Sequence, residues 1–217
     1  PFAPARRGPP VSDSWSARSE TWRLGVAATA ALAAVLFAWA LSVNYPKAAY
    51  GFFSDASTYY GLGHSLADDG DFEFRREDLV RVWREFPSGP EGIFLKRGSD
   101  PDLRLDGAAP IVHLDVRPDA DPSRLYFAKS FLYPLFAAPF IRLFGTNGFL
   151  VLHVLVLLVS FVCAYGFLAA RSHPVAALVF ALAFLFVSIA PVYLVWMTPD
   201  LFNLDLVTLG SFFWLYK

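Results

Sequence analysis

Residues 24–43 read L-G-V-A-A-T-A-A-L-A-A-V-L-F-A-W-A-L-S-V and contain no charged side chain. As a helix, a run of this length rises about 30 Å, which matches the thickness of the hydrocarbon core of a bilayer. The composition agrees, because 56% of the 217 residues are apolar and only 17% are charged. The sequence therefore predicts an all-α polytopic membrane protein whose first span is residues 24–43.

The charges ahead of this run predict its orientation. Residues 1–23 hold four arginines and two acids: Arg6, Arg7, Arg18, Arg23, Asp13 and Glu20. Because basic residues beside a span tend to stay in the cytoplasm, we expect residues 1–23 to be a cytoplasmic tail and residues 44–147 to be an outer loop. A signal peptide is the alternative, since Ala38-Trp39-Ala40 resembles a cleavage site, but the apolar part of a signal peptide is usually only about 7–15 residues long.

Three further apolar runs predict transmembrane helices 2 to 4 within residues 148–217. They are residues 148–170, 175–197 and 201–216. The turn between the first two runs is basic, which favours the cytoplasmic side. Asp205 lies inside the last run and needs a partner or a watery cavity at membrane depth. Residue 1 is Pro and Lys217 directly follows the last run, so we expect the full protein to be longer.

Residues 129–144 are apolar, but the segment is short and carries Pro134, Pro139 and Arg142, so a full crossing would strain it. If it crossed, the basic turn after residue 170 would face outward, against the charge bias. We therefore predict an interfacial or re-entrant helix over these residues. This topology brings three polar residues to one side of the membrane: Asp55, Lys129 and Asp200.

The outer loop is predicted to contain another juxtamembrane helix at about residues 55–67. Three of its apolar residues recur at helical spacing: Tyr59, Leu62 and Leu66. Ser54 or Asp55 suits the N-cap, and Asp69-Gly70 suits a closing turn. Residues 72–85 are charged and aromatic, which is typical of a helix at the level of the lipid headgroups. Residues 93–96 and 111–116 are predicted to pair as a small hairpin.

Several classes of function are disfavoured by the sequence. The chain lacks the Walker loop, the dinucleotide motif G-x-G-x-x-G, the zinc motif H-E-x-x-H and the nucleophile motif G-x-S-x-G. Its four histidines have no metal-like spacing, so no metal site is predicted. A net charge of -1 provides no basic field that would favour nucleic acid.

The three polar residues on the outer side each have an ordinary structural explanation. Asp55 suits a helix cap, Lys129 suits an interfacial anchor, and Asp200 suits the first turn of a helix, where the dipole favours an acid. Two acids and a lysine on one membrane face nevertheless form a candidate site.

Three motifs follow the first span: D-x-x-x-Y-Y-x-x-x-x-S-L-x-x-x-G-D from Asp55, K-S-F-L-Y-P-L-F-A-A-P-F-I-R-L-F-G-T-N-G-F from Lys129, and T-P-D-L-F-N from Thr198. The order of these segments resembles the N-terminal part of the GT-C superfamily of membrane glycosyltransferases, over roughly residues 24–217. Within that superfamily the motifs resemble those of the bacterial relatives of the protein O-mannosyltransferases and of the aminoarabinose transferase that acts on lipid A.

This resemblance implies a bacterial inner-membrane enzyme that takes a sugar from a polyprenyl-phosphate-linked donor. By position, Asp55 matches the essential acid after the first span, and Lys129 matches a lysine near the donor phosphate. Asp200 matches the acid of the second outer loop, and Arg142 is a second candidate phosphate contact. We expect inverting transfer on the outer face, with Asp55 as general base, Lys129 stabilising the departing phosphate and Asp200 orienting the base or acceptor. The expected partners are the bilayer, the lipid-linked sugar and further membrane subunits; no cofactor is predicted beyond the donor, and a divalent metal is left open.

Two other hypotheses remain open. Many relatives carry Asp-Glu and Lys-Pro-Pro where this chain has Asp55-Ala56 and Lys129-Ser130-Phe131. These departures allow a non-catalytic GT-C-like subunit or scaffold of a larger membrane complex. A transporter is the third hypothesis, based on Asp205 and on interrupted helices.

Overall fold

The computed structural model describes residues 11–48, 52, 54–98, 101–105, 112–116, 121 and 123–215, with side chains from residue 19 onward and outside residues 99–120. This part of the chain is mostly helical. The helices are α1 (Val11–Ser42), α2 (Tyr45–Ala48), α3 (Asp55–His64), α4 (Arg76–Glu85), α5 (Leu132–Phe144), α6 (Gly148–Ala169), α7 (Pro174–Phe186), α8 (Ala190–Leu194) and α9 (Asp200–Leu215). A π-helical turn, Ser65–Asp69, extends α3, and the 3₁₀ turn Gly145–Asn147 joins α5 to α6.

Within the described residues, two helical segments are long and apolar enough to cross a membrane: Ser19–Ser42 of α1, and Leu132–Ala169, which comprises α5, the 3₁₀ turn and α6. α1 exposes apolar side chains such as Val35, which is 66% exposed. α6 is instead the central helix, in contact with α1, α5, α7 and α9. The predicted helical class is therefore confirmed, with two helices that have the length and composition of membrane spans.

The apolar run at residues 175–197 is not one continuous helix, so this part of the sequence prediction was wrong. α7 ends at Phe186, and the short helix α8 follows after a break. The Ser188 hydroxyl donates to the Leu185 carbonyl at 3.0 Å and accepts from the Ala190 N–H at 3.1 Å. Pro191 has no N–H to continue the ladder. These two residues end α7 and begin α8.

The connection between α5 and α6 is a tight turn that folds α5 back onto the start of α6. Gly145 has φ +60°, a left-handed conformation that glycine adopts without strain. A Cβ on Gly148 would clash with the backbone of Phe140 and Ile141, so the glycine permits the close approach of the two helices. Lys129 lies three residues ahead of α5 and is therefore outside the helix.

The tyrosine and histidine at the α5–α6 contact show how α5 lies on α6. Fully buried His153 bonds through Nδ1 to the Leu194 carbonyl at 3.0 Å, so Nδ1 carries the proton and Nε2 is the acceptor. The Tyr133 hydroxyl donates to Nε2 at 2.8 Å. Tyr133 belongs to the first turn of α5, whereas His153 lies in the second turn of α6. α5 therefore folds back along the first turns of α6, with its end at Gly148 and its beginning at His153.

Between α4 and α5, the residues that the structure describes form two antiparallel strand pairs. β1 (Leu95–Arg97) pairs with β4 (Leu125–Phe127), and β2 (Pro101–Leu105) pairs with β3 (Val112–Val116). The hairpin predicted from residues 93–96 and 111–116 was therefore wrong, because each segment found a different partner. The pairing of β1 with β4 brings the segment before Lys129 beside residues 95–97.

Candidate functional site

Asp55 and Lys129 form an ion pair, with Lys129 Nζ 2.7 Å from Asp55 Oδ1. Asp55 is the first residue of α3, which follows α1 and the short helix α2, and Lys129 lies between β4 and α5. The Lys129 side chain is 25% exposed and the Asp55 side chain is 46% exposed. The pair is thus accessible from solvent, and either charge can exchange its partner for a ligand.

The capping role considered for Asp55 does not account for it. Ser54 occupies the N-cap of α3 with φ 58°, and within the described residues its side chain makes no capping hydrogen bond. The Ser54 carbonyl instead accepts hydrogen bonds from the hydroxyls of Ser57 at 2.8 Å and Thr58 at 3.0 Å. Asp55 lies in the first turn, where the helix dipole favours an acid, and its carboxylate pairs with Lys129.

Phe94 is a second neighbour of the Lys129 ammonium and was not identified from the sequence. Lys129 Nζ lies 4.3 Å from the centroid of the Phe94 ring, which is a cation–π arrangement. The Phe94 N–H donates to Thr58 Oγ1 at 3.0 Å, and its carbonyl accepts from the Ala128 N–H at 2.9 Å. No sequence pattern links residues 94 and 129, because the contact depends on how β1 and β4 pair.

Tyr59, one turn after Asp55 on α3, connects the ion pair with Asp200. Its side chain is nearly buried, and its pKa is raised, first by burial and then by the negative charges of Asp55 and Asp200. Asp55 and Asp200 therefore both lie near enough to Tyr59 for their charges to act on its phenol. A chain of aromatic contacts reaches α9, because the Tyr133 ring lies 5.7 Å from Tyr59 and 6.0 Å from Phe202. Asp200 is exposed at the start of α9.

Arg142 lies apart from these residues. It belongs to the last turn of α5, about 15 Å along the helix from Leu132 at a rise of about 1.5 Å per residue. Its Nη1 donates to the Ala67 carbonyl at 2.7 Å, so Arg142 bonds to the π-helical turn after α3. The structure therefore groups Asp55, Lys129 and Asp200 but leaves the second candidate phosphate contact at the opposite end of α5.

A buried polar cluster lies on the adjacent face of α3. His64 Nδ1 donates to Asp68 at 3.1 Å, and Nε2 lies 3.4 Å from the Thr146 hydroxyl, which donates to Glu85. Burial lowers the pKa of His64 although Asp68 and Glu85 oppose this shift. The hydroxyl of Tyr60 faces Thr146 and Glu85, and its pKa is raised, chiefly by burial. The sequence signal was the i, i+4 pair of His64 and Asp68; the other partners come from α4 and the 3₁₀ turn.

Asp205 has the partner that its position in an apolar helix requires. The Ser160 hydroxyl of α6 donates to Asp205 Oδ1 at 2.5 Å, and Asp205 is only 1% exposed. Oδ2 has no hydrogen-bond partner among the described residues. The contact joins α6 to α9 and lies inside the helix packing, away from the exposed pair of Asp55 and Lys129.

A groove of about 740 Å³ lies at the other end of α1. Its lining includes Trp22, Tyr165 and His173, from the start of α1 and the α6–α7 region. The Tyr165 hydroxyl donates to the Thr21 carbonyl at 2.8 Å and closes the groove on one side. This groove holds none of the residues that form the site at Asp55.

The chemistry available at the site is that of an accessible carboxylate and an accessible ammonium, with a second acid nearby. A carboxylate can accept a proton from a nucleophile, and an ammonium can bind an anionic leaving group. Among the described residues, no three histidine, cysteine, aspartate or glutamate side chains are grouped so that they could hold a metal ion. No protein-family model, curated protein or solved structure matches this chain.

Proposed function

We propose that the protein is a membrane glycosyltransferase that transfers a sugar from a polyprenyl-phosphate-linked donor to an acceptor on the outer face of the membrane. The observation that carries this proposal is the accessible ion pair of Asp55 and Lys129, close to the end of the apolar helix α1. It combines a base and a cation, the two groups that an inverting transfer from a lipid phosphate needs.

In the proposed arrangement the polypeptide spans the membrane several times. α1, α6, the interrupted pair α7–α8 and α9 are the spans, and α3, α4 and α5 lie at the outer surface. The turn at Gly145, which folds the short helix α5 back along the first turns of α6, supports an interfacial position for α5. Its exposed side chains are also apolar, including Phe136 and Leu143, which are 51% and 73% exposed.

The proposed reaction begins with exchange at the ion pair. The donor phosphate takes the place of the Asp55 carboxylate beside the Lys129 ammonium, and Asp55 becomes free to act as a base. Asp55 then accepts the proton of an acceptor hydroxyl or amine as this group attacks the anomeric carbon. The bond between the anomeric carbon and the phosphate oxygen breaks, and the polyprenyl phosphate leaves with its negative charge stabilised by Lys129. Asp200, whose charge also acts on Tyr59, orients the acceptor.

The test is to replace Asp55 by Asn in the full-length protein and to measure transfer from a polyprenyl-phosphate sugar. We expect a loss of at least a hundredfold, since general-base catalysis contributes about 10²–10⁴. Glu77→Gln is the matched control, because Glu77 is an exposed acid on α4 and lies outside the site. Unchanged transfer by the Asp55 variant would overturn the proposal.

A non-catalytic subunit is the second candidate, and the same ion pair supports it. Asp55 and Lys129 join α3 to the segment before α5, so the pair also serves as a structural link. Ala56 follows Asp55 where many GT-C enzymes carry a second acid. Exchanging the charges of Asp55 and Lys129 distinguishes the enzyme from the non-catalytic subunit.

A further inference from the structure

The Lys129 ammonium is held between an acid and an aromatic ring. Its Nζ lies 2.7 Å from Asp55 Oδ1 and 4.3 Å from the Phe94 ring centroid. An ammonium has three N–H donors on a flexible side chain, so it keeps one orientation only when several neighbouring groups contact it. The carboxylate supplies one direction and the ring face supplies a second. The remaining side is open to solvent, consistent with the 25% exposure of the side chain.

The Phe94 ring is anchored to both halves of the site through its own backbone. The Phe94 N–H donates to Thr58 on α3, and its carbonyl accepts from Ala128, the residue before Lys129. The Ser54 N–H also donates to the Glu91 carbonyl at 2.6 Å. The segment that carries Phe94 thus connects the first turn of α3 to the Lys129 segment. A change of the Phe94 side chain leaves these backbone bonds available.

Burial does not explain a phenylalanine at this position. Phe94 is 45% exposed, so it contributes less to the core than a buried ring would. Phe136 is a useful comparison, because it is 51% exposed and its ring contact is Phe202, at 5.4 Å. Phe94 differs in that its ring faces a cation.

We propose that Phe94 is a positioning residue for Lys129. Its ring keeps the ammonium beside α3 and directed toward the open side of the site when the Asp55 carboxylate turns away to serve another partner. Without the ring, the flexible lysine side chain would follow the carboxylate or move into solvent. This proposal depends on the proposed function in one respect only, the identity of the anion that binds to Lys129, which is a lipid-linked phosphate.

The contact is tested by amine labelling of the full-length protein in detergent. Trace acetylation with acetic anhydride, read by mass spectrometry, gives the rate at Lys129 relative to exposed Lys47 and Lys96 in the same molecule. An ammonium held by a ring and a carboxylate reacts slowly. We expect Phe94→Leu to raise the relative rate about two- to fivefold, the range that an exposed cation–π contact supplies. Phe94→Tyr should keep the wild-type rate, and Phe136→Leu is the control that should leave Lys129 unchanged.

Phe94→Trp provides a second comparison that does not depend on the leucine variant folding. Tryptophan has the strongest cation–π attraction, so its Lys129 rate should equal the wild-type rate or fall below it. The proposal is overturned if Phe94→Leu, Phe94→Tyr and Phe94→Trp all label like the wild type. It is also overturned if the relative acetylation rate of Lys129 rises in all three variants. Any change in the shape of the residue 94 side chain would then be sufficient to release the ammonium.

Protection of Lys129 by farnesyl phosphate distinguishes failure of this inference from failure of the proposed function. If Lys129 binds a prenyl phosphate, the compound should protect Lys129 from acetylation in the wild type. Absence of protection, together with the expected order of the Phe94 variants, would reject the proposed function and leave the positioning role intact. Protection together with no effect of the Phe94 variants would reject the positioning role alone.

Discussion

The hydroxyl of Tyr133 donates a hydrogen bond to Nε2 of His153 at 2.8 Å, with both side chains buried in the contact between α5 and α6. The same imidazole bonds through Nδ1 to the Leu194 carbonyl at the end of α8. One histidine therefore connects three helices, and one of them, α5, begins just after Lys129. The bond therefore helps to fix the beginning of α5, the helix that follows Lys129.

Tyr133→Phe should destabilise the protein by about 1–3 kcal/mol, because it leaves a buried histidine nitrogen without its donor. The measurement is unfolding in a denaturing detergent, followed by circular dichroism. Tyr193→Phe is the control, since Tyr193 is only partly buried. Equal stability of the two variants would contradict the assignment of Tyr133 as the donor.

Exchange of the two charges, Asp55→Lys combined with Lys129→Asp, should distinguish a structural link from a catalytic pair. Each single substitution places two like charges together and should lower the unfolding midpoint. The double variant restores attraction, and we expect it to recover much of that loss. Transfer from a polyprenyl-phosphate sugar should remain absent, because base and cation have changed places. Recovery of transfer in the double variant would refute the assigned roles.

The stability of the protein should fall as the pH is lowered from about 7 to 5, in part because of His64. Burial lowers the pKa of His64 in the folded state, so the folded protein keeps this ring neutral. In the unfolded chain the ring gains a proton below its ordinary pKa of about 6.5. Between the two pKa values the unfolded chain binds a proton that the folded protein does not. The free energy of unfolding therefore decreases as the pH falls from about 6.5 toward the lower pKa of the folded state.

The measurement for His64 is the melting temperature at several pH values for the wild type and for His64→Gln. The variant should lose less stability between pH 7 and 5 than the wild type does, a window set by the ordinary histidine pKa of about 6.5. Glu77→Gln is the control, because Glu77 is an exposed residue of α4. If the His64 variant and the wild type show the same decrease, His64 does not contribute in this direction.

Gly148→Ala should be strongly destabilising. The added Cβ would meet backbone atoms of Phe140 and Ile141, which cannot rotate away, and overpacking of this kind costs about 1–3 kcal/mol or more. Gly166→Ala on the same helix is the matched control, since a Cβ there meets nothing within 4 Å. Alanine should stabilise that position by up to about 1 kcal/mol through its helix propensity. Detergent unfolding of both variants tests the tight α5–α6 turn, and equal midpoints would contradict it.

The sequence predicted the parts of the structure that depend on local pattern. The long apolar run defined α1, and helical spacing identified the helix that begins at Asp55. The break between α7 and α8 had a signal, Ser188 with Pro191, but the continuous hydropathy of the run concealed it. The strand partners were mispredicted because segments of three to five residues carry little information about pairing.

The residues of the candidate site could also be predicted only in part from the sequence. Topology and family resemblance grouped Asp55, Lys129 and Asp200 without any knowledge of side-chain geometry. Phe94 was missed because its contact with Lys129 is set by strand pairing. Arg142 was included as a second candidate phosphate contact, but the length of α5 separates it from Lys129.

Asp55 and Lys129 lie about 70 residues apart in the chain. Closing a loop of this length costs conformational entropy before the ion pair can form. Their contact also depends on β4 pairing with β1 and on the segment that carries Phe94. We therefore expect the ion pair to form only after β1 and β4 have paired. In a chain whose folding is incomplete, Asp55 and Lys129 would not be in contact. Formation of the ion pair therefore indicates that this part of the protein has folded completely.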